Sequence, residues 1–195
     1  RVIKNTMFIT FILMLGMVAV ARPMIISLIG IKWEPSIIYL QMLCFVGMFY
    51  PLNAINLNML KVLGRSDLFL RLEIIKKILA IPVIIIGIRF GIKIMIIGMI
   101  INSVIAFFLN SYWSGKFIGY SSWQQIKDII PSFSIALLMA VIILGLGYLL
   151  DISFILKLTL EVFSGACLIM LMGELFRINE YLFIKDTVIS KFKGN

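Results

Sequence analysis

The sequence predicts an all-α membrane protein, a bundle of about six transmembrane helices. Two observations carry that prediction. The chain of 195 residues is 62% hydrophobic and only 14% charged, with a mean hydropathy of +1.12. A soluble domain is nearer half apolar and a quarter charged, so the solvent for this much apolar surface is lipid. The apolar residues also run in long, continuous Ile/Leu/Met-rich stretches rather than in short segments of alternating polarity. Only helices and closed barrels satisfy the backbone in hydrocarbon, and the absence of alternation favours helices.

Six segments follow in order. The first runs from about Asn5 to Ala21 and continues toward Ile29 if Arg22-Pro23 does not break it. A proline there is expected to kink or restart the helix. The second runs from Ser36, after Glu34-Pro35, to Leu57, with a bend at Pro51. The third runs from Leu72 to Ile88 and contains Pro82; the fourth runs from Ile92 to Leu109. The fifth is expected to start after Pro131 and end at Leu150, and the sixth to run from Ser153 to Phe176. Arg177 to Asn195 forms a tail in which Tyr181, Leu182, Phe183, Ile184, Val188, Ile189 and Phe192 alternate with Lys185, Lys191 and Lys193. Such a tail suits the surface of the inner leaflet.

The net charge of +9 sits in short clusters between the apolar runs. This is the pattern of membrane loops and gives no face for nucleic acid. With the N-terminus inside, 13 of the 18 Lys and Arg residues fall on the inner side. Arg22, Lys32, Arg89, Lys93 and Lys157 fall outside. The bias predicts that both termini are cytoplasmic. Trp33, Trp113, Trp123, Tyr112 and Tyr120 lie near span ends, where aromatic belts form.

Histidine is absent, which removes histidine-based zinc sites, Ser-His-Asp triads and Cys-His dyads. Cys44 and Cys167 sit apart in apolar runs and read as small core residues. The outer loops are too short to hold a catalytic domain. No enzymatic activity, cofactor or metal is expected.

Three groups of residues could carry function. The inner loop holds Lys61, Gly64, Arg65, Ser66, Asp67, Arg71, Glu73, Lys76 and Lys77. Gly64 can end one helix, Ser66 or Asp67 can cap the next, and Glu73 can pair with Lys77. Arg65, Arg71, Lys76 and Lys77 could meet a pyrophosphate, or could only fix topology and bind anionic lipid. Gln41, Asn53 and Asn56 form the second group, with Asn53 and Asn56 on one helix face. Their amides could bond sugar hydroxyls or tie helices together. Glu161 is the third candidate, a proton or cation site two turns into a span, unless Lys157 simply neutralises it. Gly87-Ile88-Arg89-Phe90-Gly91 matches GxxxG but falls across a turn, so a tight hairpin is the expected use.

Several stretches together resemble the Wzx-like polysaccharide and lipopolysaccharide flippases of the multidrug/oligosaccharidyl-lipid/polysaccharide transporter superfamily. They are Ala21 to Trp33, Leu40 to Cys44, Tyr50-Pro51-Leu52-Asn53 with Asn56-Leu57-Asn58, and above all Gly64-Arg65-Ser66-Asp67 with Leu70 to Lys77. The likeness covers about Arg1 to Asp128. It implies a partial transporter lobe. Residues 1–115 would be four helices of the C-terminal lobe, 116–176 a cytoplasmic linker and an appended helix pair, and 177–195 a cytoplasmic amphipathic tail. It implies alternating-access export of undecaprenyl-pyrophosphate-linked oligosaccharide across a bacterial inner membrane. The first residue, Arg1, then reads as the interior of a longer chain whose N-terminal half completes the machine. A MATE-like small-molecule exporter is the nearest alternative, and a membrane-embedded polysaccharide polymerase a more distant one.

Overall fold

A computed structural model of the chain describes residues 1–193. Its described residues form seven α-helices, joined by short turns, with one 3-10 helix and no strand. The helices are α1 (Val2–Leu28), α2 (Ile37–Val62), α3 (Ser66–Phe90), α4 (Ile92–Ile118), α5 (Ser122–Leu149), α6 (Phe154–Leu175) and α7 (Asn179–Lys193). The 3-10 helix, Ile31–Ser36, precedes α2. Among the described residues, five segments are long and apolar enough to cross a membrane: α1, the 3-10 helix with α2, α4, α5 and α6. The chain is thus an all-α, multi-pass membrane protein.

The third predicted span is the one that falls short. Helix α3 has 25 residues, but its first half carries Asp67, Arg71, Glu73, Lys76 and Lys77. Its uninterrupted apolar run, Ile78 to Ile88, reaches only ~16 Å at 1.5 Å per residue, against a hydrocarbon core of ~30 Å.

Pro131 acts differently from expectation, lying inside its helix rather than before it, whereas Pro51 and Pro82 lie inside their helices as expected. Pro23, Pro51, Pro82 and Pro131 each lie inside a continuous helix. Each removes one backbone donor, which neighbouring helices make tolerable in a membrane bundle. Helix α5 therefore begins at Ser122, well before Pro131. Its start is set by a capping box: Gln124 N–H donates to Ser121 Oγ (3.3 Å), and Ser121 N–H donates to Gln124 Oε1 (2.8 Å).

The chain packs as two compact units, residues 38–128 and residues 1–37 with 129–195. In the unit of residues 38–128, α3 and α4 form an antiparallel hairpin about Gly91, whose φ of +95° suits glycine. Gly87 lies against the Met95 side chain and Gly98 against Val83, so small residues let the two helices approach closely. Gly87 thus serves packing as well as the hairpin expected of its motif. Gly64 ends α2 with φ of +71°. Arg65, rather than Ser66 or Asp67, takes the N-cap position of α3. Leu57, Leu60, Leu68 and Leu72 form a buried cluster, flanked by Phe69, Leu109 and Trp113.

In the unit of residues 1–37 and 129–195, α1 packs along α6 and touches α7. Phe11 on α1 meets Phe133 on α5 edge to face, with centroids 5.2 Å apart. Arg22 pairs with Glu34 across the turn after α1, at 2.9 Å. The chain reverses after α6 through Arg177, and Lys185 of α7 pairs with Glu174 of α6. The predicted tail is therefore a helix, with Tyr181, Leu182 and Ile184 half-buried. The part of that expectation resting on the side chains of Val188, Ile189, Lys191, Phe192 and Lys193 lies outside the described residues.

Candidate functional site

The polar residues of α2 meet partners on α4 and α5. Asn56 and Gln125 exchange amide hydrogen bonds: Asn56 Nδ2 donates to Gln125 Oε1 at 2.8 Å, and Gln125 Nε2 donates to Asn56 Oδ1 at 3.0 Å. Ser114 Oγ donates to the same Asn56 oxygen at 2.7 Å, and Asn56 Nδ2 also donates to the Leu52 carbonyl at 3.0 Å. Asn56 is 2% exposed and every hydrogen-bonding position of its amide is used. These contacts make it a clamp between three helices.

Asn53 lies one turn earlier. Its Nδ2 donates to the Ser103 carbonyl at 3.2 Å, and Asn110 Nδ2 donates to its Oδ1 at 2.9 Å. The Asn110 Oδ1 and Asn102 Oδ1 atoms are buried without a partner. Gln41 lies on the same helix but ~18 Å from Asn53 along the axis, so the fold does not gather the three amides. Sequence reading gave no specific part to Asn110 and passed over Ser111, Ser114 and Gln125. Ser111, at spacing i,i+3 from Ser114, donates to Ser122 Oγ at 2.7 Å. That spacing was the available signal.

One end of this unit is cationic. The C-terminus of α2 and the first turns of α3 bring Lys61, Arg65 and Arg71 to it, beside Lys116 at the end of α4, while Lys76 and Lys77 lie about 15 Å along α3. Lys61 lies 3.9 Å from the Phe69 ring centroid, and Arg65 lies 5.0 Å from that of Phe117. Arg65 also holds Asp67 through two hydrogen bonds, of 3.1 and 3.2 Å, which keeps that carboxyl below its usual range. Glu73 pairs with Lys76, not with Lys77: the i,i+3 partner is chosen over the i,i+4 one. Arg71 and Lys77 are exposed.

A polar cavity of about 570 Å³ lies between the end of α4 and the start of α5. Its walls include Tyr112, Lys116, Ser121, Ser122 and Gln124. Nearby, Tyr120 Oη donates to Asp128 at 2.6 Å. Burial, and then this hydrogen bond, push the Tyr120 phenol above its ordinary value.

Glu161 stands in the other unit. It is 3% exposed, and its Oε2 makes no hydrogen bond. Lys157, one turn earlier on α6, attracts it electrostatically, as its spacing led us to expect, without closing to an ion-pair contact. No group of three acidic, Cys or His side chains among the described residues could hold a metal. No protein-family model, curated protein or solved structure matches this chain.

Proposed function

We propose that this chain is part of a bacterial inner-membrane flippase that exports an undecaprenyl-pyrophosphate-linked oligosaccharide by alternating access. The observation that carries the reading is the cationic end of residues 38–128. Arg65, Arg71 and Lys116 lie there, with Lys76 and Lys77 further along α3, and Lys116 lines a cavity that also carries several hydroxyls. Pyrophosphate needs cationic donors, and sugars need hydroxyl and amide partners, before either leaves water. Arg71 and Lys77 are exposed and form no ion pair among the described residues, unlike Arg65 and Lys76, and are the head-group residues of this proposal. Asn56 is assigned the clamp, Asn53 and Gln41 contribute polarity along α2, and the positive end faces the cytoplasm. The Gly64-Arg65-Ser66-Asp67 resemblance supports the same reading.

The test is export in a cell whose surface polysaccharide depends on this protein. Arg71→Ala with Lys77→Ala is expected to lower surface polysaccharide several-fold at unchanged protein level. Normal export at normal level would remove the cationic end from the mechanism.

A further inference from the structure

We infer that the apolar groove between α1, α5, α6 and α7 binds a hydrophobic organic monocation, with Glu161 as its counter-ion. The inference uses only residues 1–37 and 129–195 and stands without the flippase reading. The groove has a volume of about 540 Å³, the size of a site for a drug-sized molecule. Its walls include Phe8, Leu13, Met17, Met139, Ile143 and Ile169. Methionine side chains adapt to guests of irregular shape.

Glu161 is the one acidic residue in that wall. It is nearly inaccessible, its Oε2 has no hydrogen-bond partner, and Lys157 attracts it from one turn away without an ion-pair contact. The neighbouring helix makes room for it: a side chain at Gly147 of α5 would collide with Glu161 Oε1. A buried carboxylate oxygen without a hydrogen bond in an apolar wall is costly, and a cationic guest lowers that cost. A hard metal ion is a poor guest, since it needs several oxygen ligands and this wall is almost entirely apolar. An anion would be repelled. A neutral acyl chain would fill the groove but leave the carboxylate unpaired.

Tetraphenylphosphonium and tetraphenylborate have nearly the same shape and opposite charge, which makes them the probes. With the chain in lipid nanodiscs, tetraphenylphosphonium is expected to bind about tenfold tighter to the wild type than to Glu161→Gln. Tetraphenylborate is expected to bind the wild type more weakly than it binds Glu161→Gln. Ala166→Phe adds bulk at an exposed position of the groove wall and is expected to abolish binding of the cation while circular dichroism stays helical. This second variant decides the matter if Glu161→Gln does not fold. Equal binding of the two probes to the wild type, or cation binding that survives either variant, would overturn the proposal and leave the groove as a seat for lipid chains.

Discussion

Asn56 on α2 and Gln125 on α5 exchange two amide hydrogen bonds, of 2.8 and 3.0 Å, across 69 residues of sequence. Both side chains are fully buried, and Ser114 of α4 completes the join at 2.7 Å. A reciprocal amide pair satisfies both partners at once, so removing one member leaves buried donors and acceptors empty.

Asn56→Leu is therefore expected to destabilise the protein by about 1–3 kcal/mol, and Gln125→Leu by a similar amount. The double variant should cost clearly less than the two singles combined, because neither then leaves an orphan amide. Thermal unfolding in detergent, read as a double-mutant cycle, measures this. Additive losses would mean that the pair does not act as a unit.

The Tyr120 phenol is raised above its ordinary value by burial and its bond to Asp128. A folded-state proton held more tightly than the unfolded one stabilises the fold below the ordinary tyrosine value of ~10 and ceases to do so as pH rises beyond it. Stability should fall between pH 9 and 12, and Tyr120→Phe should flatten part of that fall. An unchanged alkaline profile in Tyr120→Phe would count against this bond.

Asp67 shows the opposite sign. Arg65 lowers its value, so the bridge contributes above the ordinary aspartate value and fades as pH drops through the folded one. The pair is exposed, so the effect is expected to be small and to shrink further in salt. Acid titration of Asp67→Asn against the wild type, at low and high ionic strength, reads it.

Gly91 joins α3 to α4 in an extended left-handed conformation, φ +95° and ψ 169°, that other residues adopt only under strain. Gly91→Ala should cost about 1–3 kcal/mol in the same unfolding measurement. Gly98→Leu should also destabilise, for a different reason: a side chain there collides with Val83.

Lys185 and Glu174 pin α7 to α6, with the Lys185 value raised by that bond. Glu174→Gln is expected to speed amide hydrogen exchange over residues 179–187 while leaving the middle of α6 protected. Equal protection in both proteins would show that packing of Tyr181 and Ile184 alone holds the helix.

What the sequence determined by itself was the solvent and the element type. Long apolar runs without alternation can satisfy their backbone in lipid only as helices, and that holds wherever each helix packs. Gly64 and Gly91 marked two helix ends for the same local reason, since a positive φ is read from one residue. Other boundaries were less legible. Pro131 looked like a start, yet the Ser121–Gln124 capping box, also written in the sequence, sets α5 nine residues earlier. A proline's lost donor is a fixed local cost, whereas its tolerance depends on neighbours that the sequence does not name.

Only the tertiary structure decided what the polar side chains do. Asn53, Asn56 and Gln41 share a helix and read alike, but Gln125 and Ser114 arrive from other helices and make Asn56 a clamp, while Asn110 donates to Asn53. Glu161 and Lys157 have the spacing of a pair and attract one another without an ion-pair contact; the carboxylate lies in an apolar groove that residues from four helices build. Spacing along a helix places a side chain on a face, while its partner, its burial and its charge balance depend on residues distant in sequence.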